Sequence, residues 1–576
     1  MMWRTKPLPS LSVLQTVSLC LLVFLVSACP QVFAAETSST TSTQAGQEET
    51  QFRRRGKPLE PSERVIPPIE DQAPPYLQPP FGPETKSFLV RSIHVGGSVL
   101  IPEDEAKRLV ASYEGRALTL ADLRRLAQEL TQWLRGHAYV TSRVYVPPQE
   151  ITDGIVNIQI LEGRIGEIRV EGAKYSRPDA LTSRMDTKPG AFFRYTVLQQ
   201  DLARLAANPD RRVMAVLVAG KTPGTTDIVV KVEEHLPVHL GYFLHNSGTK
   251  LTGRFRQGLS AGYTNLTGHD DQFVFRTEFS NRSDFFGVTA NYLLPLAGSW
   301  GTLGFDVSHA NVELGRQFRQ NHVIGNATVL GLNWAKPIWQ TEHWETEWVT
   351  GFDWKRVRSR EIGIDRGKDD LRVLKIGPNI LEQDATGRSI VTNEVGIGFS
   401  EFLGGSHKID SAASRASTGG QFTRVDFSGG RLQNLVGGWQ LLARGTVQLT
   451  DRRLPPSEAI RLGGEESVRG YPEGEILGDY GYSGTAELRF PISVPSLGKM
   501  EKSKLTVVGF VDGGAAFLRK PILGEEEKER LVGVGFGARW ALNASTNLLL
   551  DVGWPVGNDA SEGNAPRLYY ALNIGF

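Results

Sequence analysis

The chain has 576 residues and carries 64 lysine and arginine residues against 63 aspartate and glutamate residues, which gives a formal net charge of +1. This balance argues against nucleic-acid binding as the main role, because phosphate binding needs a basic excess. The mean hydropathy of −0.23 excludes a polytopic helical membrane protein, but it allows a membrane β-barrel, in which polar and apolar residues alternate along each strand.

Residues 1–34 have the pattern of a secretory signal peptide. Arg4 and Lys6 precede a mostly apolar stretch, and Ala34 suits a cleavage site. A transmembrane anchor is the weaker alternative, because a spanning helix needs about 20 apolar residues. Residues 26–29 also resemble a lipobox, so lipidation at Cys29 stays open. Both processing routes predict that the protein leaves the cytoplasm of a bacterium. Cys20 and Cys29 are the only cysteines, which excludes an internal disulfide framework.

Residues 35–85 predict a disordered, proline-rich linker. They are rich in Ser, Thr, Gln, Glu and Pro. The arginine run at residues 53–55 is interpreted as solvated linker charge, with an interaction patch or a plug-like segment as the alternative. Residues 36–60 show no convincing amphipathic helix.

Two small α/β units follow, over residues 86–163 and 164–234. Each reads as one strand, two helical stretches and two further strands. In the first unit, Thr119 is predicted to cap the second helix together with Asp122, three residues later. Such a unit is a small sheet whose exposed edge can accept an extended peptide as an added strand. A unit that only packs is the alternative.

Residues 235–576 alternate between polar and apolar side chains in short segments separated by turn residues. Nine of the 11 tryptophans lie here, as expected for the aromatic belts of a membrane barrel. At about 10 residues for each spanning strand, the region holds roughly 16 antiparallel strands. A soluble β-sandwich would share the alternation. Residues 358–387 are interpreted as a long polar extracellular loop.

Two motifs in this region point to a family. The first is the tetrapeptide Val468, Arg469, Gly470 and Tyr471, between two predicted strands. The second is a strand segment with Phe510, Asp512 and Gly514 on one face. They resemble the Val-Arg-Gly-Tyr/Phe loop and the Phe-x-Asp-x-Gly strand of the outer-membrane polypeptide-transporting superfamily. With two units similar to polypeptide-transport-associated (POTRA) domains, residues 86–576 resemble the TpsB transporters of two-partner secretion, the hemolysin secretion/activation type.

The resemblance implies an α+β pair of periplasmic POTRA modules followed by an all-β transmembrane barrel of about 16 antiparallel strands. It implies a translocation pore in the bacterial outer membrane, surrounded by lipid, that secretes a partner polypeptide. The partner would bind unfolded at the POTRA modules. An outer-membrane protein insertase of the same superfamily is the alternative, although two POTRA units argue against it. The family usually begins with a helix that plugs the barrel, and whether this chain has one stays open.

The resemblance also implies that the loop at residues 455–480 folds back into the barrel lumen. A guanidinium withdrawn from water needs a carboxylate, preferably in bidentate geometry. We therefore expect Arg469 to pair with Asp512, with Glu487 nearby on the inner wall. Gly470 would let the loop turn or approach the wall closely. An exposed, unpaired loop arginine is the alternative.

Enzymatic signals are weak. Residues 258–262 match Gly-x-Ser-x-Gly, but that nucleophile motif needs a strand-turn-helix context, whereas the segment alternates like a strand. The ten histidines are scattered, and the four-residue spacing of His235 and His239 is best explained by chance. No nucleotide-binding loop is found. We therefore predict no catalytic residue, no cofactor and no metal.

Overall fold

The structure is a computed structural model that describes residues 44–54, 67–71, 87–222, 224–282, 284–315, 318, 322–341, 343–493, 503–522 and 524–576. The predicted signal peptide and the lipobox lie outside the described residues. Among the described residues, no helix combines the length and the apolar character needed to cross a membrane.

The first α/β unit follows a helix and a short strand near the N-terminus. In chain order these elements are α1 (Gln44–Arg54), β1 (Ile69–Asp71), β2 (Phe88–Val90), β3 (Ser92–Gly96), α2 (Glu103–Val110), β4 (Arg116–Leu118), α3 (Leu120–Gly136), β5 (Arg143–Tyr145) and β6 (Ile155–Leu161). Strand β6 lies between β3 and β5. The predicted cap of α3 is confirmed, since the Thr119 side chain accepts from the N–H of Asp122 and the Asp122 carboxylate accepts from the N–H of Thr119.

The second α/β unit consists of β7 (Arg164–Glu171), α4 (Pro178–Ser183), α5 (Tyr195–Ala206), β8 (Arg211–Ala219) and β9 (Thr225–Glu234). Its sheet has the order β1-β8-β9-β7. Strand β1 pairs in parallel with β8 and covers the edge of the sheet that β8 would otherwise form. The prediction of disorder over residues 35–85 is therefore wrong for β1. The strand is three residues long, too short for a recognisable alternation, and Ile69 packs on the core of the second unit.

Sixteen antiparallel strands form a closed barrel in which β10 pairs with the last strand, β27. The predicted fold class and strand number are confirmed. The strands are β10 (Val238–His245), β11 (Arg256–Thr264), β12 (Gln272–Ser280), β13 (Phe285–Pro295), β14 (Thr302–Glu313), β15 (Ile324–Gln340), β16 (Trp344–Glu361), β17 (Ile364–Asp384), β18 (Gly387–Gly398), β19 (Phe422–Asn434), β20 (Gln440–Thr450), β23 (Tyr480–Ser493), β24 (Lys504–Phe517), β25 (Lys528–Ala541), β26 (Thr546–Pro555) and β27 (Arg567–Gly575). Two further strands, β21 (Ile460–Leu462) and β22 (Ile476–Gly478), pair with each other between β20 and β23.

The long polar loop predicted at residues 358–387 is largely a continuation of two strands. Strands β16 and β17 pair along their whole length and are joined by Ile362 and Gly363, both with positive φ. The prediction was wrong because the outer halves of these strands carry polar side chains on both faces. The alternation that identifies a membrane strand is therefore lost there.

The second α/β unit contacts the end of the barrel where β10 begins. Arg211 donates to Glu234 of its own unit at 3.1 Å, and to Asp270 in the turn between β11 and β12 at 2.7 Å. Burial disfavours the charged form of Glu234, but hydrogen bonds from the Ser176 hydroxyl and from the backbone N–H groups of residues 174–176 outweigh it and lower the pKa of Glu234 to about 2.

Candidate functional site

The segment between β20 and β23 folds back along the inner wall of the barrel. Its side chains Leu462, Val468 and Tyr471 are at most 1% exposed and pack against Ala516 and Leu531 of the wall. This apolar contact is possible because the facing wall residues are small or aliphatic. The segment therefore has a fixed position in the lumen.

Arg469 is the polar centre of that contact. Its guanidinium donates to both carboxylate oxygens of Asp512, at 2.7 and 3.0 Å, and its backbone N–H donates to Asp512 at 3.1 Å. It also donates to Glu487 at 3.1 Å. The guanidinium carbon lies 3.3 Å from the centre of the Phe510 ring. The structure thus brings together the predicted loop arginine and three of its four predicted wall residues.

A third carboxylate, Asp551 on β26, accepts from Arg469 at 2.9 Å and was not predicted. The sequence contained a usable signal, because Asp551 occupies an inward position between the outward-facing Leu550 and Val552. Within this cluster, Arg489 donates to Glu487 at 2.7 Å, and Arg539 donates to Asp551 at 2.5 Å.

We call Arg469, Arg489, Arg539, Asp512, Glu487 and Asp551 the Arg469 cluster. Three guanidinium groups face three carboxylates, so the buried charges balance. Loss of one guanidinium would leave a carboxylate uncompensated in a site with little water, which is costly.

Gly470 and Tyr471 fix the course of the loop beside Arg469. Gly470 has φ +100°, and a Cβ there would lie 2.6 Å from the backbone carbon of Trp554 on the wall. The Tyr569 hydroxyl accepts from the N–H of Gly470 at 2.9 Å and donates to the carbonyl of Tyr471 at 2.7 Å. Both roles predicted for a glycine here, a turn and a close approach, are therefore required by this geometry.

Gly514 lies on the wall under the hairpin of β21 and β22. A Cβ at Gly514 would be 3.1 Å from Leu462 and 2.9 Å from the carbonyl of Tyr482. The three atoms nearest to such a Cβ belong to Tyr482, Leu462 and Ser483, so the nearest loop contact of the predicted wall residue Gly514 is Leu462 and not Arg469. Gly514 leaves space for the apolar part of the loop.

Helix α1 lies inside the barrel, so the prediction of a disordered linker is wrong for residues 44–54. The helix packs against β13, β14, β15 and β16. Ala45 and Phe52 are the only apolar side chains among its eleven residues, and both are at most 3% exposed. These two side chains pack with the wall residues Phe285, Ala310 and Val312. Two apolar positions do not form a continuous apolar stripe, which is the signal that sequence analysis looks for.

Two ion pairs hold α1 to the wall. Glu48 accepts from Arg256 at 2.9 Å, and Arg53 donates to Asp353 at 3.1 Å. The interpretation of the arginine run as solvated linker charge is therefore wrong for Arg53. Arg55 and the side chain of Arg54 lie outside the described residues.

Helix α1 also contacts the inserted loop. Gln51 donates to Glu473 at 2.7 Å, and the Thr50 hydroxyl donates to the carbonyl of Ser457 at 3.3 Å. The helix and the loop therefore meet inside the lumen and obstruct it together. The helix lies on one side, against β13 to β16, and the Arg469 cluster lies on the other.

Two weak motifs of the sequence fall in ordinary structural positions. Ser260 lies in the middle of β11, paired with Gly241 and Arg276 of the neighbouring strands, so its segment is not a strand-turn-helix nucleophile site. His239 lies 2.8 Å from Asp210 at the junction with the second α/β unit. Among the described residues, no group of three or more His, Cys, Asp or Glu side chains could hold a metal ion.

Two family models match the chain. The model of the POTRA domain, ShlB-type, matches residues 88–163, and the model of the haemolysin secretion/activation protein ShlB/FhaC/HecB matches residues 224–540, more than half of the chain. The chain belongs to the haemolysin secretion/activation protein ShlB/FhaC/HecB family. It is thus an outer-membrane transporter of two-partner secretion, and its POTRA domains lie in the periplasm.

Individual relatives of this ShlB/FhaC/HecB-family transporter are distant but cover most of it. It is 24% identical over 485 residues to the outer membrane transporter CdiB of Dickeya dadantii, covering 81% of this chain and 83% of that protein. It is 22% identical over 481 residues to the heme/hemopexin transporter protein HuxB of Haemophilus influenzae, again covering 81% and 83%. The solved structure of CdiB from Escherichia coli has a TM-score of 0.75 at 19% identity, covering 94% of this chain and 100% of that one.

Proposed function

We propose that this transporter binds an unfolded secreted partner at its POTRA domains and passes it through the barrel after α1 leaves the lumen. The observation that carries the proposal is the way α1 is held. Its wall and loop contacts are mainly ion pairs and hydrogen bonds, and only two apolar side chains are buried. Water can replace such polar contacts at small net cost, so departure of the helix exposes a single apolar patch, formed by Ala45, Phe52 and the wall residues that they cover.

The inserted loop has the opposite character and is proposed to stay in place while α1 moves. Val468 and Tyr471 are fully buried, and Arg469 binds the wall through three carboxylates. In this proposal Val468, Arg469, Gly470 and Tyr471 position the loop against Asp512, Glu487, Phe510 and Gly514. The loop would then form a stable side of the open path.

Recognition of the partner is proposed to use free sheet edges of the POTRA domains. Strands β3 and β5 are the edges of the first sheet. In the second sheet β1 already covers β8, so β7 is the remaining edge, and its first two residues are paired with residues 190–192. An extended partner segment can pair with such an edge through backbone hydrogen bonds, whatever its side chains. The proposal includes no catalytic step and no cofactor.

A disulfide between α1 and the loop tests whether the helix must move. A Cβ on Gly46 would lie 2.9 Å from the Cβ of Ser457, slightly below the disulfide range of about 3.5–4.5 Å, so a small shift suffices. The double variant Gly46→Cys and Ser457→Cys should show almost no ion current in planar bilayers when oxidised, and wild-type current after reduction. Each single variant is the control. Unchanged current in the oxidised form, with the disulfide verified, would contradict the proposal.

Photo-crosslinking tests the recognition step. A photoreactive residue at Arg169, on the exposed face of the edge strand β7, should form an adduct with the secreted partner in cells. The control position is Arg125, whose side chain is 68% exposed on helix α3 of the first domain. Equal adducts at both positions would show that the sheet edge has no special role.

A further inference from the structure

The two longest strands carry an unbalanced group of cations on their outward face. Along β16, the side chains of Trp348, Phe352 and Trp354 face away from the lumen, and the next outward positions are Arg356 and Arg358. The inward positions between them are occupied by side chains such as Asp353 and Lys355, which are at most 3% exposed. The outward face thus changes abruptly from aromatic to basic.

The position of this change matches the outer boundary of the membrane. Trp344 follows the periplasmic turn, and Trp354 lies ten residues further along the same strand. At about 3.3 Å for each residue and a tilt of about 40°, ten residues rise about 25 Å, which is the height of the apolar band of an outer-membrane barrel. Trp354 therefore lies at the outer interface, and the cations beyond it lie at the level of the lipid headgroups.

Three of the cations converge on a single carboxylate. Asp370, opposite Arg356 in the register, accepts from Arg356 at 3.3 Å and from Arg358 at 2.9 Å, and Lys368 lies 3.5 Å from it. The neighbouring Asp369 points inward and binds Ser414, so it does not neutralise this face. Three positive charges thus share one negative charge.

A fourth cation lies just below. Arg372 is 2% exposed, lies 4.9 Å from the centre of the Trp354 ring and donates to the backbone carbonyl of Leu403 at 2.9 Å. Its guanidinium also donates to the backbone carbonyls of Leu371 at 2.9 Å and Lys355 at 3.5 Å, so it adds a positive charge beneath the other three.

The tip of the hairpin differs, because its cations are paired one to one. Arg360 binds Asp365 at 2.8 Å and Arg366 binds Glu361 at 3.0 Å. The excess of positive charge is therefore confined to the base of the hairpin, next to the membrane. Like charges held this close favour binding of an anion.

An apolar ledge lies beside the cations. The loop after β18 turns back over Arg372 and presents Phe402 and Leu403, which are 50% and 68% exposed. The Phe402 ring packs edge-on against the outward-facing Phe352, with ring centres 6.3 Å apart. Leu403 holds φ at +47°, an uncommon backbone conformation for leucine, and its side chain stays exposed. Two large apolar side chains therefore lie exposed at the edge of the apolar band.

We propose that this surface, formed by Arg356, Arg358, Lys368, Phe402 and Leu403 above the buried Arg372, binds the phosphate groups and acyl chains of a phosphorylated glycolipid of the outer leaflet, such as the lipid A part of lipopolysaccharide. The cations match phosphates at the headgroup level, and the apolar ledge matches the chains directly below. The charge excess favours an anionic lipid, and the adjoining ledge favours a lipid over a free ion.

Lipid binding to the full-length protein in detergent tests this proposal. The probes are lipid A, the same lipid without its phosphates, and inorganic phosphate, each titrated and followed by native mass spectrometry. We expect lipid A to bind, and at least about tenfold weaker binding of the dephosphorylated lipid, since each charge-assisted hydrogen bond lost weakens binding substantially. Equal binding of both lipids would overturn the proposal, as would displacement of lipid A by inorganic phosphate at similar concentration.

A matched pair of variants locates the site. The triple variant R356Q/R358Q/K368Q removes the unbalanced cations, and R360Q/R366Q removes the paired ones at the tip. Only the triple variant should bind lipid A more weakly, and equal affinities of the two would overturn the assignment. The heat-dependent gel mobility of barrels shows whether the triple variant folds. If it does not fold, binding of lipid A to the wild-type protein at increasing salt concentration tests the proposal instead. Affinity should fall with ionic strength, and salt-independent binding would refute the proposal.

Discussion

Arg53 of the helix inside the lumen donates to Asp353 of the barrel wall at 3.1 Å, although 300 positions separate the two residues in the chain. Asp353 is fully buried and also binds Lys375 at 2.8 Å. The wall carboxylate therefore keeps a partner when the helix leaves. This arrangement makes departure of the helix less costly than breaking an isolated buried ion pair.

The variant Arg53→Gln should therefore open the barrel more often. Loss of one charge-assisted hydrogen bond at a partly buried site costs about 1–3 kcal/mol, which corresponds to about a five- to 150-fold rise in the open population. Single-channel recordings in planar bilayers measure this population directly. Arg360→Gln, which breaks an exposed ion pair outside the lumen, serves as the control and should leave the current unchanged.

The variant Arg469→Ala should insert into the membrane but fail to secrete the partner. It leaves three carboxylates facing two guanidinium groups in the Arg469 cluster, and removal of one partner of a buried pair costs about 3–5 kcal/mol. Arg469→Lys should restore little of the secretion, because an ammonium group cannot bind Asp512 in bidentate fashion. Arg452→Ala, which removes an exposed arginine paired with Asp451, is the control. Normal secretion by Arg469→Ala would refute a functional role of the cluster.

The two variants Gly470→Ala and Gly509→Ala should differ sharply in how well the inserted loop resists protease. At Gly470 a methyl group meets the wall backbone at 2.6 Å and the residue has φ +100°, whereas at Gly509 nothing lies within 4 Å of the added methyl. Gly470→Ala should displace the loop and expose it to added protease in intact cells, while Gly509→Ala should behave as wild type. Equal protease resistance would show that the loop can shift without consequence.

The stability that the hydrogen bonds to Glu234 contribute to the second α/β unit should depend on pH. Because its pKa is lowered from 4.5 to about 2 in the folded domain, its charge stabilises the domain above pH 4.5, and this contribution is lost as the pH falls towards 2. Hydrogen exchange at residues 174–176, corrected for the intrinsic rate, measures the effect. At pH 7, Glu234→Gln should reduce protection by about tenfold. This difference from wild type should shrink steadily below pH 4.5, and a constant difference would contradict the assignment.

The sequence was sufficient to predict the barrel, because alternation continues through most of its strands. The Arg469–Asp512 ion pair was predicted with the help of the family resemblance, which implied that the loop lies in the lumen, where a guanidinium requires a carboxylate. The sequence was not sufficient for α1. That helix is held by ion pairs and hydrogen bonds with residues 208 to 422 positions away, such as Arg256 and Glu473, and no local pattern encodes them. The same holds for β1, whose position depends on the edge of β8, and for the outer halves of β16 and β17, which have lost the alternation.

The edge position of β1 sets a limit on how far the helix can travel. Thirteen Cα steps join Arg54, at the end of α1, to Pro67, two residues before β1, and a chain of that length spans at most about 45 Å. While β1 stays paired with β8, the departing helix is restricted to a sphere of about that radius around the second POTRA domain. A released helix therefore remains at high effective concentration near the periplasmic mouth, and the barrel can close again without a search through the periplasm.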